Sequence, residues 1–327
     1  MRIQEEILRL KKQRNAVILA HYYEDGAIQD IADYVGDSLH LAQVGRDSQA
    51  PVLLLAGVYF MAESVKVLAP HKTVLVPDAQ AGCSLVEASP YDAYLKWRKE
   101  HPTGLAMTYI NSSAAVKSIS DVICTSSNAE KIVKAMPKDR PILFGPDKNL
   151  GGYLAKKLNR EMIMWDGACE VHILFSAKKL FQLKQSHPEA KVLAHPECEP
   201  AVLQFADVVG STSKLLSEVN DQSFTKFIVA TEPGIFHQMQ KQRPEAEFIL
   251  APGKEGCGCQ DCPYMKLNTL EKIKSALENL SPVVELKRDD LLKAYVPLKR
   301  MMDITDDRPV FWPDEFVDHP KDISVSN

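Results

Sequence analysis

The 327-residue sequence has neither a surplus of positive charge nor a long apolar run. Its 39 Lys and Arg are outnumbered by 43 Asp and Glu, and the resulting net charge of −4 argues against a nucleic-acid partner. The longest apolar run, from Val52 to Ala62, is shorter than the roughly 20 residues that cross a bilayer. The first 14 residues place Ile3 and Ile7 among charges and lack the apolar core of a secretory signal. We therefore expect a cytoplasmic protein with no membrane partner.

Low-complexity segments and long linkers are also absent, and 45% of the residues are hydrophobic, so the chain is expected to bury a large core. A length of 327 residues favours two or three domains. In the cytoplasm the seven cysteines stay reduced, which favours metal binding or chemistry over structural disulfides.

One passage of the sequence recurs three times. Three aspartates, each opening a short β-branched run, are separated by 88 and then 86 positions: Asp33, Asp121 and Asp207. The same two separations relate the residues that close the preceding apolar run: His21, Tyr109 and His195. Each passage ends at cysteine: Cys83, then Cys169, then the group Cys257, Cys259 and Cys262. A fixed long period is typical of a repeated supersecondary unit, and three thiols at matched positions can meet on its axis.

Within each copy, short apolar runs alternate with helical patterns of 8 to 15 residues, which indicates parallel strands covered on both faces. We predict an α/β protein with three αβα sandwich domains, related by pseudo-threefold symmetry, whose parallel sheets surround a central active site. The predicted bounds are 1–86, completed by C-terminal helices at about 275–303, then 87–172 and 173–262, followed by an extended tail at 304–327.

The carboxyl ends of parallel strands are where such folds place their chemistry. Polar residues follow the first predicted strand of each copy, at His21 and Tyr23, at Tyr109 and Asn111, and at His195 and Glu197. Others follow the second strand, just before a helix: Ser38, Ser126, Ser211 and Thr212. Taken singly, such Ser and Thr residues are helix caps. Together they predict a site for a small molecule that carries several negative charges, such as carboxylates or a phosphate.

The cysteines divide into two groups. Cys124 and Cys198 are interpreted as small buried hydrophobes. Cys83, Cys169 and one cysteine of the third copy occupy matched positions, and three thiolates with no fourth suit a [4Fe-4S] cluster in which one iron is open to act as a Lewis acid. Zinc is the alternative, because C-x-C-x-x-C plus a histidine is plausible zinc spacing, but zinc leaves Cys83 and Cys169 unexplained. Spacing alone favours Cys257 as the third ligand, 88 positions after Cys169, whereas Cys262 lies 93 positions after it.

Ten short motifs between residue 20 and about residue 270 resemble, in order, those of the quinolinate synthase family. They begin at Ala20, Gly36, Ala81, Tyr109, Cys124, Gly167, His195, Gly210, Ala230 and Cys262. The resemblance implies three pseudo-threefold αβα domains around a [4Fe-4S] cluster held by Cys83, Cys169 and Cys262, the last because it directly precedes Pro-Tyr-Met-Lys. It also implies an enzyme of NAD biosynthesis that condenses iminoaspartate (iminosuccinate) with dihydroxyacetone phosphate to quinolinate, phosphate and water.

Chemistry and resemblance together suggest roles for the candidate residues. The substrate anions are expected to bind to His21, Ser38, Ser126, His195, Ser211 and Thr212. Tyr109 is expected to transfer a proton, Asn111 to orient the substrate, Glu197 to act as general base and Tyr23 to close over the ligand. His172 is either a catalytic group or a hydrogen-bond partner of the ligand shell. Glu232 and His237 are interpreted as structural.

Three further hypotheses concern partners and alternatives. Cys259 and Cys262 form a C-x-x-C pair that could close into a reversible disulfide and remove one cluster ligand. Functional coupling to an enzyme that produces iminoaspartate is a candidate interaction. The competing functions are a non-catalytic zinc or redox-sensing protein, and a ligand-binding α/β protein whose cysteines only fill its core.

Overall fold

A computed structural model describes residues 2–254 and 260–317 of the chain. It contains three four-stranded parallel sheets covered by helices, and each sheet has the same strand order, with its second strand at one edge, followed by its first, third and fourth. The predicted α/β class with three αβα sandwiches is confirmed. Across the described ranges no helix is both long enough and apolar enough to span a bilayer.

The first sheet shows why these runs are so apolar. Its third strand is buried along its whole length: Leu53 and Leu55 pack into one core cluster, and Leu54 and Ala56 into another on the opposite face. Both faces therefore need apolar side chains. The strands are β1 Ala16–His21, β2 Tyr34–Gly36, β3 Val52–Ala56 and β4 Thr73–Leu75; the helices are α1 Ile3–Arg14, α2 Gly26–Ile31, α3 Ser38–Asp47, α4 Tyr59–Leu68 and α5 Ser84–Glu87.

The second and third sheets repeat this arrangement. The second comprises β5 Leu105–Tyr109, β6 Val122–Cys124, β7 Ile142–Gly145 and β8 Met162–Met164, with α6 Tyr91–Lys99, α7 Ala114–Lys117, α8 Ala129–Ala135 and α9 Lys148–Leu158. The third comprises β9 Lys191–Ala194, β10 Val208–Val209, β11 Lys226–Ala230 and β12 Glu247–Leu250, with α10 Ala177–Ser186, α11 Pro200–Leu203, α12 Thr212–Glu218 and α13 Phe236–Gln242. Short 3-10 turns lie at His172–Leu174, Pro233–Ile235 and Met265–Leu267.

The C-terminal part contains α14 Leu270–Asn279 and α15 Arg288–Thr305. Helix α14 packs against α1 and β3 of the first sheet, whereas α15 packs against α4 of the first unit and also against α7, α8 and β6 of the second. A 3-10 turn at Met265–Leu267 precedes α14, and Thr269 begins the new helix by capping it with its side chain. We propose that each sheet is the core of one domain, with the bounds given above.

The three repeat aspartates share one structural role. Each directly precedes the second strand of its sheet and accepts a hydrogen bond from a backbone N–H of the neighbouring first strand: Asp33 from Ile18 (2.8 Å), Asp121 from Ala106 (2.7 Å) and Asp207 from Val192 (2.7 Å). Each is also paired with a cation: Lys11, Arg98 and Lys184, respectively. The period found in the sequence therefore marks the hydrogen bond that fixes the edge strand.

The three ion pairs differ in burial, which yields a stability prediction. The side chains of Arg98 and Asp121 are 0% and 8% exposed, whereas those of Lys11 and Asp33 are 19% and 29% exposed. Asp121→Asn leaves a buried guanidinium without its counter-charge and should cost about 3–5 kcal/mol. Asp33→Asn is the matched control and should cost about 1 kcal/mol or less. Urea denaturation of both variants checks this; equal losses would contradict it.

Candidate active site

The carboxyl ends of the three sheets open into one cavity. His21 and Tyr109 close β1 and β5, and His195 directly follows β9, so the first strand of every sheet delivers a side chain to the same place. All but one of the predicted site residues line this cavity: His21, Tyr23, Ser38, Cys83, Tyr109, Asn111, Ser126, Cys169, His195, Glu197, Thr212 and Cys262. The one that does not is Ser211, whose hydroxyl caps α12 by accepting from the Lys214 N–H.

A single carboxylate joins the loops that follow the second strands. Asp37 Oδ1 accepts from the His40 N–H (2.9 Å) and caps α3. Its other oxygen accepts from the Ser127 hydroxyl of the second unit and from the Ser213 hydroxyl of the third unit (2.6 Å). The first turns of α3 and α12 are thereby held facing the cavity, where their free N–H groups favour an anion.

His21 and His195 are held in matching ways. The Tyr23 N–H donates to His21 Nδ1 (3.2 Å), and the Glu197 N–H donates to His195 Nδ1 (3.4 Å). Burial lowers the pKa of His21 to about 4 and that of His195 to about 3, so both rings are neutral at pH 7. With Nδ1 accepting, the proton of each ring is on Nε2, and both histidines serve as neutral hydrogen-bond donors.

Glu197 is the most connected group of the site. Its Oε2 lies 2.8 Å from His172 Nδ1 and 3.5 Å from His195 Nδ1, and the carboxylate also accepts from the Tyr109 phenol. Burial by itself would raise the pKa of Glu197, but its interaction with His172 and the hydrogen bond from Tyr109 outweigh burial and lower it. Its Oε1 is buried without a hydrogen-bond partner among the described residues. Glu197 is therefore an ionised carboxylate with one oxygen left for a ligand.

Two phenols flank this carboxylate. Burial raises the pKa of Tyr109 and of Tyr23 well above 10, so both remain protonated donors at neutral pH. Tyr23 is half-buried; its ring packs edge-on against His21 with centroids 4.6 Å apart, and its hydroxyl lies 2.6 Å from Thr231 Oγ1. Asn111 lies two residues beyond the end of β5, on the same side of the cavity as Tyr109.

Each of the three predicted cysteine ligands precedes a helical turn whose backbone N–H groups point at its sulfur. Cys83 accepts from Leu85 and Val86, Cys169 from His172, and Cys262 from Tyr264 and Met265. Burial raises the pKa of Cys83 to about 12, that of Cys262 to about 11 and that of Cys169 well above 9. The three are protonated thiols until a metal displaces the proton, and N–H donors then stabilise the sulfur anions.

The donor set fits a cluster better than a single ion shared by the three thiols. Across residues 2–254 and 260–317, the group of His, Cys, Asp or Glu whose ligand atoms all lie within 4.8 Å of one another is Cys169, His172 and Glu197. The sulfurs of Cys83, Cys169 and Cys262 are therefore not all within 4.8 Å of one another, whereas the ligands of one zinc ion lie about 4 Å apart. A cage of several metal atoms can reach thiols at that spacing.

Cys257 and Cys259 lie outside the described residues. The choice between Cys257 and Cys262 and the predicted disulfide between Cys259 and Cys262 accordingly stay predictions. Cys124 and Cys198 are fully buried, as predicted for core cysteines.

Comparison with known proteins identifies the family. The family model described as quinolinate synthetase A protein matches residues 5–303. The chain belongs to this family. Curated relatives named quinolinate synthase include that of Trichodesmium erythraeum, 50% identical over 92% of this chain and 93% of the relative. Those of Prochlorococcus marinus (strain MIT 9303) and Nostoc punctiforme are 52% and 51% identical over 91% and 90% of this chain, and over 90% and 91% of the relatives. The resemblance in the sequence is thereby confirmed.

Two acidic residues that follow third strands were not predicted from the sequence to belong to the site of this quinolinate synthetase family member. Asp147 follows β7 and is fully buried; it accepts from the Cys169 N–H (3.0 Å) and caps α9 by accepting from Leu150 (2.8 Å). Glu232 follows β11, lines the cavity and accepts from the Cys262 N–H (3.4 Å). Two of the three cysteine loops are thus held by carboxylates. Applying the strand-end rule to the third strands would have found both.

His172 and His237 lie in different places. His172 lies inside the site, between Glu197 and the Cys169 sulfur, with Nδ1 3.2 Å from that sulfur. His237 does not line the cavity and pairs with Asp30 (2.8 Å) on the surface.

The buried, neutral state of His21 predicts a pH dependence of stability. Its pKa is about 4 in the folded protein and about 6.5 when unfolded, so the unfolded chain binds more protons between these values. Stability is therefore lost as the pH falls below 6.5, and His21 alone should contribute a loss of about 2 kcal/mol by pH 5.

The variant His21→Gln should have a smaller difference in denaturation midpoint between pH 7.5 and pH 5 than the wild type. His71→Gln, at an exposed position, is the control for removal of an imidazole. An unchanged pH dependence in His21→Gln would show that folding does not lower the pKa of His21.

Proposed function

We propose that this protein is a quinolinate synthase that condenses iminoaspartate with dihydroxyacetone phosphate and releases phosphate and water. The observation that carries the proposal is the meeting, in one cavity, of three cysteines from separate parts of the chain with neutral anion-binding groups and a buried carboxylate. Membership of the family supports the same reaction.

Cys83, Cys169 and Cys262 are proposed to hold a [4Fe-4S] cluster. The proposal is supported by the N–H donors at each sulfur and by a thiol spacing too wide for one ion. When bound, such a cluster supplies an iron without a protein ligand, which can polarise a hydroxyl or carbonyl of the substrate.

Substrate anions are proposed to bind opposite the cysteines. His21 and His195 offer Nε2–H donors, and the hydroxyls of Ser38, Ser126 and Thr212 lie at or near the beginnings of three helices. Together these donors are proposed to bind the two carboxylates of iminoaspartate and the phosphate of the second substrate. Ser211 is proposed to act through the cap of α12 rather than by touching the substrate.

Proton transfer is proposed to centre on Glu197. Ring closure requires protons to leave carbon and oxygen to leave as water, so a base and an acid must be close together. Oε1 of Glu197 has no hydrogen-bond partner among the described residues and is proposed to accept a proton from the substrate. Tyr109 is proposed to return a proton from its phenol. Asn111 is proposed to orient the substrate beside Tyr109, and Tyr23 to close over it.

The reaction also suggests cellular context. Iminoaspartate must be supplied by an enzyme that oxidises or condenses a precursor to an imine, and we propose functional coupling to that enzyme. A cytoplasmic location is proposed because the buried thiols must stay reduced.

A competing function is favoured by one observation. Cys169, His172 and Glu197 are close enough to hold a single metal ion, which would suit a metal-binding protein without a cluster. Metal analysis after anaerobic purification separates the two, since the proposal requires iron with matching sulfide, whereas the alternative requires one ion such as zinc.

Replacing each proposed ligand tests the cluster. Cys83→Ser, Cys169→Ser and Cys262→Ser should each lose most iron, sulfide and the brown absorbance near about 400 nm, because two thiolates hold a cluster poorly. Cys124→Ala, which changes a buried cysteine of β6, is the matched control and should keep all three. Full iron content in Cys262→Ser, together with loss of iron in Cys257→Ala, would identify Cys257 as the third ligand.

A second test concerns the base. Glu197→Gln should keep the cluster and fold but lower kcat by about 10²–10⁴-fold, because the amide cannot accept a proton. Glu199→Gln, two residues on and paired with Lys254 at the surface, is the control and should retain wild-type kcat. Quinolinate formation from the two substrates is the measurement, and unchanged turnover in Glu197→Gln would rule out the general-base role.

A further inference from the structure

One buried hydroxyl of the third unit does not line the cavity but lies against a side chain of the first unit and a side chain of the second. Thr231 directly follows β11 and is fully buried. Its Oγ1 lies 2.6 Å from the phenol oxygen of Tyr23, which follows β1, and 3.0 Å from Nε2 of His172, which begins the turn after Cys169. Thr231 thus links the phenol of Tyr23 to His172, which contacts Glu197.

Geometry places Thr231 between two groups of the site. His172 Nδ1 lies 2.8 Å from Oε2 of Glu197, so the ring of His172 is held between that carboxylate on one side and the Thr231 hydroxyl on the other. The same hydroxyl lies 2.6 Å from the phenol oxygen of Tyr23. One threonine oxygen therefore contacts both the phenol and the imidazole that touches Glu197.

We propose that Thr231 is a positioning residue that sets the orientation of both Tyr23 and His172, and through His172 that of Glu197. The inference rests on the proposed function, since it concerns how the same site is aligned. Among the described residues, the phenol oxygen of Tyr23 and Nε2 of His172 have no hydrogen-bond partner other than Thr231. Without the hydroxyl, both polar groups would be buried and unpaired, and each ring would turn to find another partner.

Thr231→Val keeps the shape of the side chain and removes the hydroxyl. Because displacement of a catalytic group by about 1 Å can cost about 10²-fold, we expect kcat for quinolinate formation to fall by about that factor with a much smaller change in KM. Thr231→Ser restores the hydroxyl and should recover most of kcat. Iron and sulfide content should equal those of the wild type in both variants, since neither change removes a proposed ligand.

The chain contains a matched control for loss of a buried threonine hydroxyl. Thr108 in β5 is also fully buried, and its Oγ1 lies 3.1 Å from the phenol of Tyr94 and 2.7 Å from the Ser120 hydroxyl. Thr108→Val should lower the denaturation midpoint about as much as Thr231→Val while leaving kcat within about twofold of wild type.

The outcomes separate this inference from the proposed function. Unchanged kcat in Thr231→Val, or an equal loss in Thr108→Val, overturns the positioning role. If the wild type makes no quinolinate, the proposed function fails, and a crystal structure of the cluster-loaded Thr231→Val protein still decides the inference: turned Tyr23 and His172 rings support it, and unmoved rings overturn it. Should Thr231→Val not fold, Thr231→Ala takes its place in every comparison.

Discussion

The carboxylate of Asp37 is the interaction on which the geometry of the site depends. Parallel sheets with the same strand order each present a polar edge, but nothing in one sheet decides how it faces the other two. Asp37 decides this, because it caps α3 and also accepts from Ser127 and Ser213 of the other units. A charged acceptor makes stronger hydrogen bonds than a neutral one, and here it makes three at the centre of the assembly. The cavity is the space enclosed around that junction.

A small number of hydrogen bonds also holds the cysteine loops. The sulfur of each proposed ligand receives N–H groups from the turn that follows it, so each loop is shaped by its own backbone. Asp147 and Glu232 then fix two of these loops through the N–H of the cysteine itself. Burial raises the pKa of Asp147 well above its ordinary range, with the charge of Glu197 adding to the effect. Acidic groups are therefore crowded here, and a bound metal would relieve that crowding.

Features that repeat at a fixed period could be predicted from the sequence. Features that depend on local backbone geometry could not. The spacing of Asp33, Asp121 and Asp207 predicted the repeat because each aspartate makes the same ladder hydrogen bond. Ser211 and Thr212 could not be told apart, since adjacent residues at a helix start point about 100° apart and the cap decides which one faces the cavity.

Among the described residues, the cavity lining offers no cationic side chain to the anions that the protein is proposed to bind. Of the described residues that line it, none is Lys or Arg, and the lining includes the carboxylates of Asp37, Glu170, Glu197 and Glu232. Attraction must come from neutral N–H and O–H donors and from helix N-termini, because burial keeps His21 and His195 uncharged. Neutral donors orient an anion through geometry and attract it less strongly than a buried cation would. The proposed reaction releases inorganic phosphate in every cycle and would benefit from that weaker hold, since a lysine or arginine would retain the departing phosphate as firmly as the substrate.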